Sequence, residues 1–221
     1  DLPILFTRTM AHDIRYYYES GARAMHYMHV PMANWGPRAL TNALYARLLW
    51  NPAVDESEVM QDYFLKRYDK EAAAAREFYE SLERTMINVP VYKYRLNRDL
   101  HDFAAGRIKD IFTQRHLHLE EYHPTTDDGP DMEETIRELD RAEGFMEKLL
   151  ARPTESRIRA CILEDEGLFR FGAATIRLYY RLARTTLFPL KSPDWTREMR
   201  EAVLQAEYLD CAAGDLLGQV V

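Results

Sequence analysis

The sequence predicts a mainly α-helical protein, an antiparallel helical bundle preceded by a short helix and strand. Three observations predict it. Apolar residues recur at helical spacing through almost all of residues 37–221, Pro and Gly punctuate that pattern at short intervals, and only residues 22–30 read as a strand. The chain has 221 residues with 47% hydrophobic content, enough to bury a substantial core.

Residues 8–20 form the first expected helix, stopped at Gly21, which adopts a left-handed conformation without a Cβ penalty. Residues 22–30 (Ala-Arg-Ala-Met-His-Tyr-Met-His-Val) are apolar and aromatic and end at Pro31, as a short buried strand would. After Asn34-Trp35-Gly36, Pro37 suits a first helical position, and Leu40, Leu44 and Leu48 share a face until Asn51-Pro52. Asp55 then caps a helix striped with Val59, Met60, Tyr63 and Phe64 and ending near Tyr68. Residues 71–87 place Phe78, Leu82 and either Thr85 or Met86 inward before Pro90.

The stretch 91–122 is less periodic and reads as one or two shorter helices. Asp131 opens a helix carrying Ile136, Leu139, Phe145, Met146, Leu149 and Leu150, broken at Pro153. A long helix from Ser156 to about Leu187 carries Ile158, Ile162, Leu168, Phe169, Ile176 and Tyr180. Ser192 caps the last helix, whose expected inner stripe is Met199, Val203, Ala206, Leu209, Ala213 and Leu216. The short connections favour antiparallel neighbours.

Composition narrows the partners. The 29 basic and 36 acidic side chains give a net charge of -7 with no sustained basic patch, so nucleic acid is not an expected partner. No apolar run approaches the roughly 20 residues that span a bilayer, so no membrane partner is expected. Cys161 and Cys211 are isolated and suggest no zinc site. His116, His118 and His123 lie near Glu120 and Glu121, but their spacing matches no strong metal motif and reads as a polar surface segment. No metal or cofactor is expected. The runs Asp127-Asp128 and Glu164-Asp165-Glu166 read as loop and helix-surface charge, except that Asp165 shares a face with Ile158, Ile162 and Phe169 and therefore needs a partner, an Arg on another helix being the simplest.

The run Ala43-Leu-Tyr-Ala-Arg-Leu-Leu-Trp50-Asn-Pro52, followed by Asp55 to Phe64 with Tyr68 and then Phe78-Tyr79, resembles the helical C-terminal region of a glycoside-hydrolase-like family. That family is known chiefly as a domain of unknown function in large bacterial carbohydrate-active proteins and is related in arrangement to α-glucuronidases. The resemblance covers roughly residues 10–90. It implies that residues 1–36 are the last helix and strand of a (β/α)8 barrel and residues 37–221 a helical C-terminal domain. Such a barrel takes about 250 residues, so its catalytic carboxylates would lie on strands outside this sequence.

Barrel enzymes build their sites at the C-terminal ends of strands, which makes His29, Asn34 and Trp35 the expected substrate contacts. Trp stacks on the apolar face of a pyranose, and Asn and His hydrogen-bond to hydroxyls. Arg38 is a carboxylate partner if the sugar is a uronic acid. The expected function is thus the helical part of a carbohydrate-active hydrolase, adding one active-site loop but inactive alone, with a carbohydrate as partner. The alternative is a non-catalytic structural or homo-oligomerisation module whose interface is formed by Phe169, Tyr179 and Tyr180.

Overall fold

The computed structural model describes residues 5–25, 36–86, 132–185 and 188–218, and every regular element among them is helical. In chain order these are α1 (Thr7–Glu19), α2 (Arg38–Trp50), α3 (Glu56–Tyr68), a 3₁₀ turn (Asp69–Glu71), α4 (Ala72–Met86), α5 (Met132–Ala151), α6 (Ser156–Thr185) and α7 (Pro193–Gly218). Of the expected strand, residues 22–25 take no regular structure and residues 26–30 lie outside the described residues, as do 91–122 and the His116, His118 and His123 cluster.

The local signals act as expected at several boundaries. Gly21 follows α1 with φ +100°, the left-handed stop that residues with a Cβ avoid. Pro37 precedes α2 with helical dihedrals. The Ser57 N–H and hydroxyl both donate to Asp55 Oδ1 at 2.8 Å, closing the start of α3. Trp195 N–H donates to Ser192 Oγ at 3.2 Å at the start of α7.

Cross-helix bonds fix the packing directions. Ser81 and Arg84 on α4 meet Glu138 on α5, while Glu71 at the other end of α4 meets Arg152 beyond the end of α5. Arg177 on α6 reaches Asp140 and Glu143, and Arg184 reaches Glu133. Arg184 also meets Glu198 on α7, whereas Arg170 meets Asp215. Rising numbers on one helix thus pair with falling numbers on the next, so α4, α5, α6 and α7 alternate in direction.

The main core joins α3, α4, α5 and α6 through Phe64, Tyr68, Phe78, Tyr79, Leu82, Leu139, Met146, Ile162 and Phe169. Phe78 sits edge-on to Phe169 with ring centroids 5.3 Å apart. A smaller cluster of Ala11, Ile14, Leu44, Leu48 and Val59 holds α1 and α2 onto α3.

Two expectations about surfaces are corrected. Among the described side chains of α7 the buried ones are Glu198, Ala202 and Ala212, while Val203 is half exposed and Ala206 is exposed, and that of Leu216 lies outside the described set. The face turns because a buried carboxylate, which an apolar stripe does not reveal, meets Arg181 and Arg184 there. Of the aromatic interface expected at Phe169, Tyr179 and Tyr180, Phe169 and Tyr180 are buried against α4 and α5, and Tyr179 is half-buried.

Candidate functional site

A buried polar cluster lies where the end of α3 crosses α6. Tyr68 and Tyr79 face inward because they continue the apolar stripes of α3 and α4, and Asp165 faces inward on α6 between Ile162 and Phe169. A buried carboxylate without partners would carry a large desolvation cost. Here the Tyr68 hydroxyl donates to Asp165 Oδ2, and Arg67 Nη2 donates to Asp165 Oδ1 at 3.2 Å. The same guanidinium reaches Glu164 Oε2 at 2.7 Å, and the Tyr68 and Tyr79 hydroxyls are 2.7 Å apart.

Electrostatics follow from this geometry. Burial pushes the Asp165 carboxyl up to about 6, with Arg67 and the Tyr68 hydrogen bond acting against it. Burial raises the phenols of Tyr68 and Tyr79 well above their ordinary value, and the neighbouring Asp165 charge adds to it. Burial alone would lower Arg67, but the adjacent Asp165 reverses that and keeps the guanidinium charged. The phenols therefore act as neutral hydrogen-bonding groups around one paired charge, and the arrangement fixes helices without leaving a free nucleophile or base.

The inward, Arg-paired Asp165 is as the sequence predicts, but Glu164, expected to be helix-surface charge, joins it on the same guanidinium. Glu164 and Asp165 share Arg67, and Glu164 Oε1 also accepts a long, 3.4 Å hydrogen bond from Gly36 N–H. Gly36 has φ +42°, and a Cβ built there would stand 3.0 Å from Leu168 Cβ. The turn before α2 is therefore seated on α6 at a point where only hydrogen fits easily.

This bears on the expected substrate contacts. His29, Asn34 and Trp35 lie outside the described residues. Arg38 begins α2, is half-buried and already has a partner, which a bound carboxylate would have to share. On the other side of residues 26–35, Met25 Sδ accepts a hydrogen bond from the Tyr45 hydroxyl at 2.9 Å. Met25 also lines a cleft of about 380 Å³ with Tyr17, Tyr18, Arg23, Trp50 and Asn51. Trp50 is 91% exposed.

Sequence reasoning found Asp165 and its need for an Arg, but not which Arg. Arg67 sits three positions beyond Phe64 in α3, and Tyr68 and Tyr79 resemble ordinary core aromatics until their hydroxyls are seen to meet. Cys161 and Cys211 are free thiols. No group of His, Cys, Asp or Glu among the described residues is arranged to hold a metal ion, and no described helix is long and apolar enough to cross a membrane. In comparison with known proteins, no family model, curated protein or solved structure matches the chain.

Proposed function

We propose that the chain is the helical part of a carbohydrate-active, glycoside-hydrolase-like protein, and that it holds residues 26–35 against the sugar. The observation that carries this reading is the aromatic cleft that Met25 lines, where Tyr17, Tyr18 and Trp50 stand exposed around about 380 Å³. Side chains with an apolar ring and a polar tip suit a pyranose, whose faces are apolar and whose rim is hydroxylated. Asn51 and Arg23 line the same cleft and supply an amide and a cation for hydroxyls or a uronate. Arg23 is already stacked over Tyr18 with its guanidinium carbon 4.4 Å from the ring centroid.

In this reading His29, Asn34 and Trp35 contact the sugar and Arg38 supports them. Gly36 on α6 and Met25 on Tyr45 fix the two ends of the segment. The paired carboxylates that glycoside hydrolysis requires, about 5–9.5 Å apart, would be supplied from a preceding barrel. The test is binding of aryl-glycosides and uronic-acid-bearing oligosaccharides by the protein and by its Trp35→Ala and Trp50→Ala variants. The reading expects saturable binding that weakens at least tenfold in each variant. Binding absent from all three, or indifferent to both substitutions, overturns it.

A second reading, a non-catalytic module that associates with copies of itself, is favoured by the half-exposed Val203 and Leu204 and by Tyr208 on α7. A concentration-dependent dimer that Val203→Glu abolishes would support it.

A further inference from the structure

We infer that the pocket between α2, α3 and α6 binds a small organic anion, an apolar body carrying a carboxylate or phosphate head. This inference is independent of the carbohydrate reading, because the pocket does not include the aromatic cleft. Its volume is about 550 Å³, within the common range for small-molecule sites.

Charge decides the sign of the ligand. Arg47, Lys66, Arg67 and Arg157 line the pocket, against the single carboxylate of Asp62. Two of these cations are already neutralised: Lys66 by Asp62 at 2.7 Å, and Arg67 by Glu164 and Asp165. The other two are not. Among the described residues Arg157 donates to the backbone carbonyls of Lys66 and Arg67, at 3.2 and 3.3 Å, and meets no carboxylate. Arg47 is exposed near the end of α2 and forms no ion pair among the described residues. In a chain of net charge -7, two guanidinium groups with no carboxylate partner among the described residues, on one concave surface, are a local reversal of sign.

Arg157 is also held in place. By satisfying carbonyls at the end of α3, its guanidinium gives up part of its rotational freedom before any ligand arrives. Arg67 is fixed by the buried cluster behind it, so one wall of the pocket is rigid. Guanidinium groups match the paired oxygens of carboxylates and phosphates through parallel N–H donors.

The rest of the lining sets the body of the ligand. Ala43, Ala46, Val59, Cys161 and the ring of Tyr63 present carbon and sulfur. An inorganic ion would leave that surface wet, whereas an aromatic or branched aliphatic group would cover it. The Tyr63 hydroxyl is buried without a hydrogen-bond partner, and burial raises its pKa. It therefore stays neutral and adds no negative charge to oppose an anion.

The experiment is titration calorimetry of the protein at low ionic strength with phenyl phosphate, benzoate, inorganic phosphate and, as a cationic counterpart, benzylamine. Saturable binding of phenyl phosphate or benzoate, at least tenfold tighter than inorganic phosphate and absent for benzylamine, is expected. Which of the two organic anions binds more tightly distinguishes a phosphate from a carboxylate source. Arg47→Ala and Arg157→Gln should each weaken binding about tenfold. Arg152→Ala, whose side chain pairs with Glu71 away from the pocket, should not. A second readout needs no pocket substitution: in a Cys211→Ser background the organic anion should slow alkylation of Cys161 at least threefold. No saturable binding, affinity unchanged by Arg47→Ala and Arg157→Gln, or Cys161 alkylation indifferent to the ligand would each overturn the inference.

Discussion

Tyr68 donates its hydroxyl to Asp165 in the interior of the bundle, joining the last residue of α3 to the middle of α6. The same oxygen lies 2.7 Å from the Tyr79 hydroxyl, so the acid at the centre is linked through one phenol to a second on α4. Three helices thus meet at a chain of polar atoms, with Arg67 closing it from the solvent side. Such a network is stabilising only while every member is satisfied.

Its two phenols should not be equivalent. Tyr68→Phe removes a donor from a buried carboxylate and breaks its hydrogen bond with the Tyr79 hydroxyl, a cost of about 2–3 kcal/mol. Tyr79→Phe removes a bond between neutral groups and should cost about 1 kcal/mol. Urea denaturation of both variants measures the difference, and equal costs would show that the carboxylate gains nothing special from Tyr68.

The same acid gives stability an unusual pH dependence. Burial raises Asp165 from 3.8 to about 6, so between those values the folded chain holds a proton that the unfolded chain releases. Its contribution is fully present below about pH 4 and is lost as pH rises through about 6. Glu138 and Glu198 run the other way: burial raises each, but hydrogen bonds from Arg84 and Ser81, and from Arg184 and Arg181, outweigh it and hold both pKa values low. The clean measurement is therefore the stability difference between the wild type and Asp165→Asn. The wild type should lose about 2 kcal/mol relative to the variant between pH 4 and pH 7. A difference that stays flat would mean that Arg67 keeps Asp165 ionised throughout.

Most helices were legible because local signals and packing agree. Leu40, Leu44 and Leu48 recur on one face of α2, and all three are buried. Asp55 and Ser192 mark helix starts with side chains that bond there. Asp165 was legible as a carboxylate needing a partner, because periodicity placed it among apolar neighbours. Its partner was not, since which of many arginines crosses to α6 depends on how α3 and α6 are aligned. On α7 periodicity misled for a related reason: Glu198 occupies a buried position that hydrophobicity assigns to the surface. The anion pocket was invisible, because its cations come from three helices and no sequence window contains them.

Glu198 should anchor α7. It accepts from Arg184 at 3.0 Å and from Arg181 at 3.1 Å while itself buried. Both arginines are partly exposed and regain water when the carboxylate is removed, so Glu198→Ala should cost about 1–3 kcal/mol rather than the larger penalty of a stranded charge. Glu198→Gln keeps both acceptor sites in shape and should cost less. Hydrogen exchange locates the effect: α7 amides should exchange faster in Glu198→Ala while those of α3 and α4 stay protected. Uniform loss of protection would mean that α7 is not a separate cooperative layer.

Gly36 gives the most direct test of how the turn before α2 is seated. Two separate penalties meet there. A φ of +42° is one that residues with a Cβ seldom adopt, which costs about 1 kcal/mol. A Cβ would also press on Leu168 Cβ at 3.0 Å, a backbone-proximal atom that cannot swing aside. Gly36→Ala should therefore destabilise by about 2–3 kcal/mol, more than the backbone term alone. Gly21 supplies the internal control, since its φ is +100° but nothing stands within 4 Å of a built Cβ. Gly21→Ala should show only the backbone penalty. The excess at Gly36 should be relieved only in part by Leu168→Ala, which removes the Cδ2 contact at 3.1 Å but keeps the Cβ contact at 3.0 Å. It should be relieved by Leu168→Gly in the Gly36→Ala background, measured as a favourable coupling in a double-mutant cycle. Additive costs in that cycle would show that the turn lifts off α6 when crowded, and that its seat does not fix the position of α2.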